Sequence, residues 1–331
     1  MQTPDKKQPF LSRLKGKIHK SPFIFRASRY VFIRLRLAWL FVKWLKYKAS
    51  FKLNRNGLNT TEQRPKKIIA SLTSYPARIG IVPYVIGSLL NQTMKPDKII
   101  LWLGEDKFPE KKLPDIFDEV RECGVDVEFR KDIGPHTKYF YALKEYPEDI
   151  VITFDDDWIY DADVIEGLYM SYSRNPGCVS AMRVEEAKFL DDGKLADYND
   201  FDTLGGIPGH ASHCYFASGV SGVLYPPHSL HTEAFNLEAM MRLCPKADDI
   251  WLRFMEMLNG TRTVLVAHKS ALNIGVPGFM VYNSQLTSLA EANVFGGAND
   301  RQMRAVLDAY NTWPEGKTLL EIMREDADSV E

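Results

Sequence analysis

Three consecutive aspartates, Asp155, Asp156 and Asp157, are the residues of this 331-residue chain most suited to chemistry. They follow residues 150–154, an apolar run with the composition of a buried strand. Three adjacent carboxylates repel one another, and a divalent cation would relieve that repulsion. Mg²⁺ and Mn²⁺ take oxygen ligands, commonly one or two carboxylates with phosphate and water. The triplet indicates a metal site or, alternatively, a solvated turn in which an Asp caps the next helix.

The elements that must position this triplet alternate between strand and helix patterns from residue 66 onward. The predicted elements are strands at 67–73, 98–103, 125–129 and 149–154, with helices at 82–92, 114–123 and 137–145. Such alternation predicts an α/β fold with a mostly parallel, doubly wound sheet. Ligands bind at the carboxyl ends of the strands in such sheets. A triplet placed after the fourth strand therefore favours the metal interpretation.

Four sequence motifs carry a resemblance to a known family. They are Ile68-Ile-Ala-Ser-Leu-Thr-Ser-Tyr-Pro-Ala-Arg-Ile, Leu90-Asn-Gln-Thr, Pro96-Asp-Lys-Ile-Ile-Leu-Trp-Leu and Asp149-Ile-Val-Ile-Thr-Phe-Asp-Asp-Asp. In this order and spacing, residues 66–275 resemble the GT-A fold glycosyltransferases, especially the family 2-like bacterial enzymes. The resemblance implies a GT-A fold, a nucleotide-sugar donor (a UDP-sugar by family frequency) and a Mn²⁺ or Mg²⁺ cofactor.

The resemblance also implies roles for residues on the donor side. The Asp-x-Asp element of the family binds the ribose and the metal on the diphosphate. This implies metal ligation by Asp157, the stronger candidate, and by Asp155, with the middle residue Asp156 in the nucleotide-sugar site but least expected to touch the metal. The other implied nucleotide-sugar contacts are Ser71, Thr73, Tyr75, Arg78, Asp132 and Lys138, the last as a point charge on phosphate. For Arg78 and Lys138 the alternative is an ordinary structural position.

On the acceptor side, Asp248 and Asp249 resemble the acidic pair that opens a helix in the family. Inverting transfer needs one carboxylate to deprotonate the acceptor hydroxyl, and a helix N-terminus favours the ionised form. Asp249 is the implied base, with Asp248 close behind; the alternative is a helix cap. Gly219 and Gly222 resemble the Gly-rich element bordering the donor sugar, or they form an ordinary turn. His268 resembles a third metal ligand in some members, although a lone His is more often structural.

The N-terminal segment differs in charge from the rest of the chain. Residues 1–55 hold fifteen Lys and Arg and one acid, a net charge of +14, against −15 for the remainder. The longest apolar run, residues 37–42, is too short to span a membrane. Its aromatic and basic residues favour an interfacial helix at residues 23–52, on the cytoplasmic face of the plasma membrane. The alternatives are a structural helix and a nucleic-acid arm, and we expect no nucleic-acid partner.

The expected organisation has three parts: a basic helical segment at residues 1–55, a GT-A catalytic domain at 66–280 and a helical extension at 281–331. Four widely spaced cysteines without Cys-x-x-Cys spacing argue against zinc and suit a reducing compartment. The resulting hypothesis is an inverting transferase that moves a sugar to a glycan or lipid-linked acceptor in surface polysaccharide synthesis. The alternatives are a nucleotidyltransferase, which would show glycines after the first strand, and an inactive nucleotide- or glycan-binding module.

Overall fold

The computed structural model describes residue 35 and residues 38–203, 205–267, 274–275, 297–312 and 316–328. The chain divides into two compact units, Met1–Ser50 and Phe51–Glu331. The residues described in the first unit are helical. Four apolar side chains there are exposed at spacings of three and four residues: Leu35, Trp39, Val42 and Leu45. No helix in the described ranges is both long enough and apolar enough to cross a bilayer.

The second unit is built on a mixed α/β arrangement with a large central sheet. Its strands are β1 (Ile68–Ser74), β2 (Lys98–Gly104), β3 (Asp126–Arg130), β4 (Ile150–Phe154), β5 (Trp158–Ile159), β6 (Val179–Ala181), β7 (Val184–Glu186), β8 (Ala211–Ser212), β9 (Tyr215–Ala217), β10 (Val223–Tyr225), β11 (Thr263–Leu265) and β12 (Ile274–Gly275). Eight of them form one sheet in the order β3-β2-β1-β4-β10-β6-β11-β8. The other four form two small pairs, β5 with β12 and β7 with β9.

Eight helices accompany these strands within the described part of the second unit. They are α1 (Val82–Leu89), α2 (Ile116–Glu122), α3 (Thr137–Glu145), α4 (Val164–Arg174), α5 (Leu237–Leu243), α6 (Asp248–Leu258), α7 (Ala298–Tyr310) and α8 (Leu319–Asp328). Helix α3 begins and ends at the predicted residues, and α1 and α2 are shorter than predicted. The predicted alternation of strand and helix is therefore confirmed through β4.

The central sheet is mostly parallel, as predicted, but its second half is mixed. Strands β1 to β4 run parallel to one another, with Ile69 opposite Lys98 and Leu72 opposite Phe154. Beyond β4, β10 is antiparallel to both β4 and β6, and β8 is antiparallel to β11. All five residues of β4 are buried, as expected for a strand covered on both faces. The carboxyl ends of β1 and β4 consequently lie side by side.

A buried polar network links α6 to β11, a strand in the second half of the central sheet. The Arg253 guanidinium donates to Glu256 Oε2 at 2.5 Å and to Thr263 Oγ1 of β11 at 2.6 Å. Its other terminal nitrogen lies 3.1 Å from His213 Nδ1. Arg253 and Glu256 are each 1% exposed, so this is a desolvated ion pair whose polar atoms are largely paired. The network fixes the axis of the helix that begins with Asp248.

The two C-terminal helices pack on the same unit as the sheet. Helix α7 contacts α6, and Met303 and Val306 of α7 are buried in the main core. Asp326 of α8 accepts hydrogen bonds from Ser212 Oγ at 2.5 Å and from the His213 backbone N–H at 2.7 Å. A buried carboxylate paired in this way ties α8 to the edge strand β8. The polar residues 54–64, which have a linker composition, are also bonded to this unit, through Arg64 and Asp97 among others.

Replacing Arg253 with Met should destabilise the second unit strongly, because it leaves the buried Glu256 carboxylate without its counter-ion. We expect the free energy of unfolding to fall by about 3–5 kcal/mol. Urea unfolding followed by tryptophan fluorescence measures this change. Arg121→Met is the matched control, because Arg121 pairs with Asp118 on an exposed helix face and should change stability by less than about 1 kcal/mol. Equal effects of the two substitutions would contradict the role of the network.

Candidate active site

The acidic triplet lies at the end of β4 and is bound to the end of β1. Ser74 Oγ donates to Asp156 Oδ2 at 2.5 Å, and Arg78 NH1 lies 2.7 Å from Asp156 Oδ1 and 3.0 Å from Asp157 Oδ2. Arg78 is brought there by a turn in which its N–H bonds to the Tyr75 carbonyl. The middle carboxylate is thus buried and satisfied by the protein, whereas Asp155 and Asp157 each keep 26% of their side chains exposed.

Burial is the main influence on the pKa values of Asp156 and Asp157. It raises the pKa of Asp157 to about 7; Arg78 opposes the increase, and Asp156 and Asp155 add to it. The pKa of Asp156 is also raised by burial, although Arg78 and Ser74 pull it down. Near pH 7 Asp157 is therefore fully ionised only when additional positive charge is present.

Lys138 joins the triplet to the second acidic element. Its ammonium lies 2.8 Å from Asp155 Oδ1 and 2.8 Å from Asp248 Oδ2, in the first turn of α6. Lys138 is only 6% exposed, and its carbonyl accepts a hydrogen bond from the buried Ser71 hydroxyl. Burial opposes the charge of the Lys138 ammonium, but Asp155, Asp248 and Asp249 raise its pKa well above the ordinary value. The lysine is a permanent internal counter-ion between two carboxylates that lie far apart in sequence.

The two acids that open α6 have opposite properties. Burial alone would raise the pKa of Asp248, but Lys138 outweighs it and holds that pKa below its ordinary value. Burial, Asp248 and Asp155 raise the pKa of Asp249 to about 7. This differs from the expectation that the helix N-terminus keeps the base ionised, because burial and two neighbouring carboxylates outweigh the helix dipole. A carboxylate with a pKa near 7 is suited to general base chemistry at neutral pH.

Gly219 lies where these charged groups converge. Its backbone N–H donates to Asp249 Oδ2 at 3.0 Å. A Cβ at this position would lie 2.7 Å from Lys138 Nζ and 3.1 Å from Asp249 Oδ1. Gly222 ends the same short turn with φ of 98°, where a Cβ would also lie 3.1 Å from the Phe154 ring. Gly219 therefore lets the turn pass close to the charged groups, and Gly222 lets it pass close to the Phe154 ring.

The remaining predicted residues surround or support this cluster. Ser71 is fully buried, and its hydroxyl also accepts a hydrogen bond from Trp102 Nε1 at 2.8 Å, so its hydrogen bonds are made to groups in the interior of the domain. Thr73 is partly buried and its hydroxyl donates to the Trp102 carbonyl at 2.9 Å. The Tyr75 ring lies beneath the Arg78 guanidinium at 5.5 Å. Asp132 accepts from the Gly134 N–H at 3.0 Å, which shapes the turn before α3. His268 lies outside the described residues.

Two neighbours of the triplet were not predicted from the sequence. Ser74 is the last residue of β1, just after the predicted contacts Ser71 and Thr73. Its position at the strand end could have predicted that it lies near the triplet. The Tyr160 hydroxyl accepts from the Asp155 backbone N–H at 2.7 Å and lies within 3.5 Å of the Val220 carbonyl. Its ring packs on Phe154 at 4.7 Å. No sequence pattern distinguishes Tyr160 from an ordinary core tyrosine.

The carboxylates fit a hard divalent cation that shares its coordination with a ligand. Among the residues that the structure describes, no three His, Cys, Asp or Glu side chains form a ready-made metal site. Asp155 and Asp157 are nevertheless partly exposed at one strand end, and the Asp157 carboxylate is destabilised by its acidic neighbours. Mg²⁺ and Mn²⁺ are commonly bound by one or two carboxylates, with phosphate oxygens and water completing the shell. The donor set is compatible with that mode of binding.

Comparisons with known proteins add little to this geometry. No family model matches the chain. No curated protein matches it in sequence. One similar solved structure is glucosyl-3-phosphoglycerate synthase from Mycobacterium tuberculosis in complex with Mn²⁺, uridine-diphosphate-glucose and phosphoglyceric acid. The match has 17% identity and a TM-score of 0.28, and it covers 38% of this chain and 50% of that chain. Because this likeness is slight and extends over only half of that structure, it carries no conclusion about activity.

The raised pKa values predict that the metal-free protein loses stability as the pH rises. An unfolded aspartate has a pKa of about 3.9, so between about pH 4 and pH 7 the folded protein binds more protons than the unfolded chain. The free energy of unfolding contributed by Asp157 and Asp249 should therefore fall across this window. Replacing Asp249 with Asn removes one of these groups and should make the decline shallower by up to about 1.4 kcal/mol per pH unit.

Urea unfolding at a series of pH values in the presence of a chelator measures this slope. Glu148→Gln is the control, because the Glu148 side chain is 73% exposed and should leave the slope unchanged. A slope in Asp249→Asn equal to that of the wild type would show that Asp249 titrates normally.

A methyl group at residue 219 should disturb the charge cluster. In Gly219→Ala the added carbon would have to displace the Lys138 ammonium, which two carboxylates hold in place. We expect the free energy of unfolding to fall by about 1–3 kcal/mol. Gly80→Ala is the matched control, because nothing lies within 4 Å of the added carbon there. Urea unfolding of both variants distinguishes a crowded position from a general effect of replacing glycine.

Proposed function

We propose that this protein is a metal-dependent, inverting glycosyltransferase of the GT-A fold. It moves a sugar from a nucleotide-sugar, a UDP-sugar by family frequency, to a glycan or lipid-linked acceptor in surface polysaccharide synthesis. The observation that carries the proposal is the bridge from Asp155 through Lys138 to Asp248. The bridge links the element suited to a diphosphate-bound cation to the start of α6, where Asp249, the neighbour of Asp248, is suited to acting as a base. Inverting transfer requires both in one site, on opposite sides of the reacting carbon.

On the donor side, Asp157 and Asp155 are the proposed ligands of Mn²⁺ or Mg²⁺. The bound cation would neutralise charge on the leaving diphosphate. Arg78 is placed to orient Asp157, and its partly exposed guanidinium can also approach phosphate. Thr73, Tyr75 and Asp132 remain proposed contacts of the nucleotide. Ser71 and Lys138 are proposed to act from inside the domain, by holding Asp155 and Asp248 in position. His268 remains a proposed third ligand.

On the acceptor side, Asp249 is the proposed general base. The Gly219 N–H binds Asp249 Oδ2, which fixes the carboxylate orientation. With a pKa of about 7, Asp249 is substantially ionised at neutral pH and has sufficient basicity to accept a hydroxyl proton. Asp248 is the weaker candidate because Lys138 stabilises its ionised form and lowers its basicity. Asp248 instead raises the basicity of its neighbour.

The proposed location is the cytoplasmic face of the plasma membrane, with the N-terminal helix lying on the lipid surface. The exposed side chains of Leu35, Trp39, Val42 and Leu45 supply an apolar stripe, and the net charge of +14 in residues 1–55 suits anionic lipid. The ammonium of Lys43 lies 4.2 Å from the centre of the Trp39 ring, so cationic and aromatic groups share this helix. A lipid-linked acceptor would be presented at the same surface.

Release of nucleoside diphosphate from a panel of nucleotide-sugars, with and without Mn²⁺ or Mg²⁺, tests the proposed activity. We expect metal-dependent release that falls by at least about 100-fold in Asp157→Ala and in Asp249→Asn, because the first removes a proposed metal ligand and the second removes the proposed general base. Melting temperatures check that both variants remain folded. Asp118→Asn, at an 81% exposed side chain, is the control and should retain wild-type release.

The outcomes separate this activity from its alternatives. A nucleotidyltransferase would release pyrophosphate from a nucleoside triphosphate, and a binding module would release nothing. Near-normal turnover in folded Asp157→Ala or Asp249→Asn would remove the role proposed for that residue. Metal-independent release that tolerates both substitutions would overturn the proposed function.

A further inference from the structure

A short strand pair runs beside the proposed base. Strand β7 pairs antiparallel with β9, so that Glu185 lies opposite Phe216. The carbonyl of Arg183, just before β7, accepts a hydrogen bond from the Ser218 N–H at 2.9 Å. The next residue, Gly219, holds Asp249 through its own N–H. The start of β7 is therefore linked to the proposed base through two hydrogen bonds and one peptide unit.

Glu185 has an unusual arrangement of hydrogen bonds. Two donors of Arg183, Nε at 3.1 Å and NH2 at 2.7 Å, both converge on Oε1. A two-oxygen pairing would be the expected geometry for an arginine and a carboxylate. The second oxygen, Oε2, is buried and has no hydrogen-bond partner among the described residues, and Glu185 is 7% exposed overall. A buried carboxylate oxygen without a donor is unfavourable, so Oε2 is an acceptor for any donor group that enters this region.

Tyr198 packs against the strand pair that carries Glu185. The Tyr198 ring packs edge-on against the Phe216 ring, with 6.0 Å between the ring centres, and Phe216 is the residue opposite Glu185 in the strand pair. Burial raises the pKa of Tyr198 well above its ordinary value, and the charges of Asp249 and Glu185 both add to the increase. Through the β7–β9 pairing and the hydrogen bonds of Ser218 and Gly219, the residues Glu185, Tyr198 and Asp249 belong to one polar corner.

We infer that this corner is the acceptor subsite, in which Glu185 Oε2 accepts a hydrogen bond from a second hydroxyl of a sugar acceptor. The inference rests on the proposed function and extends it to the class of acceptor. One hydroxyl of the acceptor faces Asp249 and reacts. A second hydroxyl binds Glu185, and this second contact determines which hydroxyl of the sugar faces Asp249. Because Arg183 is already paired with Glu185, the corner favours neutral hydroxyl donors over anionic groups. The ligand class is a neutral pyranoside.

Methyl pyranosides of glucose, galactose, mannose and N-acetylglucosamine serve as acceptor probes in two measurements on the full chain. The first is the increase in melting temperature on addition of each glycoside without donor, which reports binding alone. The second is nucleoside diphosphate release with and without glycoside, divided by the glycoside-free release of the same variant. Wild type, Glu185→Gln and Glu186→Gln are compared. Glu186 is the matched control because its side chain lies on the opposite face of β7 and accepts from the Gly206 N–H, which a glutamine oxygen can also do.

We expect at least one glycoside to stabilise the wild type and to stimulate release. In Glu185→Gln the half-saturating glycoside concentration should rise by about tenfold, because a neutral amide oxygen replaces a charged acceptor and the hydrogen bond becomes weaker. Glu186→Gln should respond as the wild type does. Equal responses of Glu185→Gln and wild type, or no response of the wild type to any glycoside, overturn the acceptor subsite. If glycosides bind through Glu185 but no nucleotide-sugar is cleaved, the subsite stands and the transferase proposal fails.

Discussion

The ion bridge through Lys138 is the interaction on which the site depends. One buried ammonium faces carboxylates from two elements, Asp155 after β4 and Asp248 at the start of α6. Without it, three carboxylates would lie together in a desolvated region, and some would have to be protonated for the chain to fold. With it, the pKa of Asp248 stays below its ordinary value, while burial and the neighbouring carboxylates raise the pKa of Asp249 to about 7. Lys138 therefore contributes to the difference in pKa between the neighbouring residues Asp248 and Asp249.

Several parts of the fold serve to hold that ammonium in place. The Ser71 hydroxyl of β1 bonds to the Lys138 carbonyl, and His136 Nε2 lies 2.7 Å from the Cys244 carbonyl at the end of α5. These contacts tie the start of α3 to the sheet on one side and to the segment before α6 on the other. At its other end, α6 is fixed by the desolvated pair of Arg253 and Glu256. The acids at the N-terminus of α6 thus belong to a helix held at both ends.

The geometry also separates the proposed donor side of the site from the proposed acceptor side. Arg78, Asp156 and Asp157 form one group at the ends of β1 and β4, where burial and a single guanidinium determine the charge. Arg183 and Glu185 form another group beside β9. Between them lie Asp155, Lys138 and the Gly219 turn. The absence of a side chain at residue 219 allows the backbone to approach the charged groups and to bind Asp249 directly.

The sequence by itself determined the first half of the sheet and the location of its acidic ends. Apolar runs of strand length, separated by helical spacing, predicted β1 to β4 and the bounds of α3, because local burial patterns follow the backbone period. They also placed the triplet at a strand end. The mixed second half of the sheet was not predicted, because its strands are two or three residues long and carry little periodic signal.

The roles of individual side chains were decided only by the tertiary structure. The sequence could not distinguish Lys138 as a phosphate contact from Lys138 as a bridge, or separate the acidities of Asp248 and Asp249. These properties depend on distances between residues far apart in the chain and on how much water reaches them. Glu185 had no distinguishing pattern in the sequence for the same reason. Its Oε2 has no hydrogen-bond partner among the described residues, and it lies where β7 pairs with β9 and β9 contacts α6.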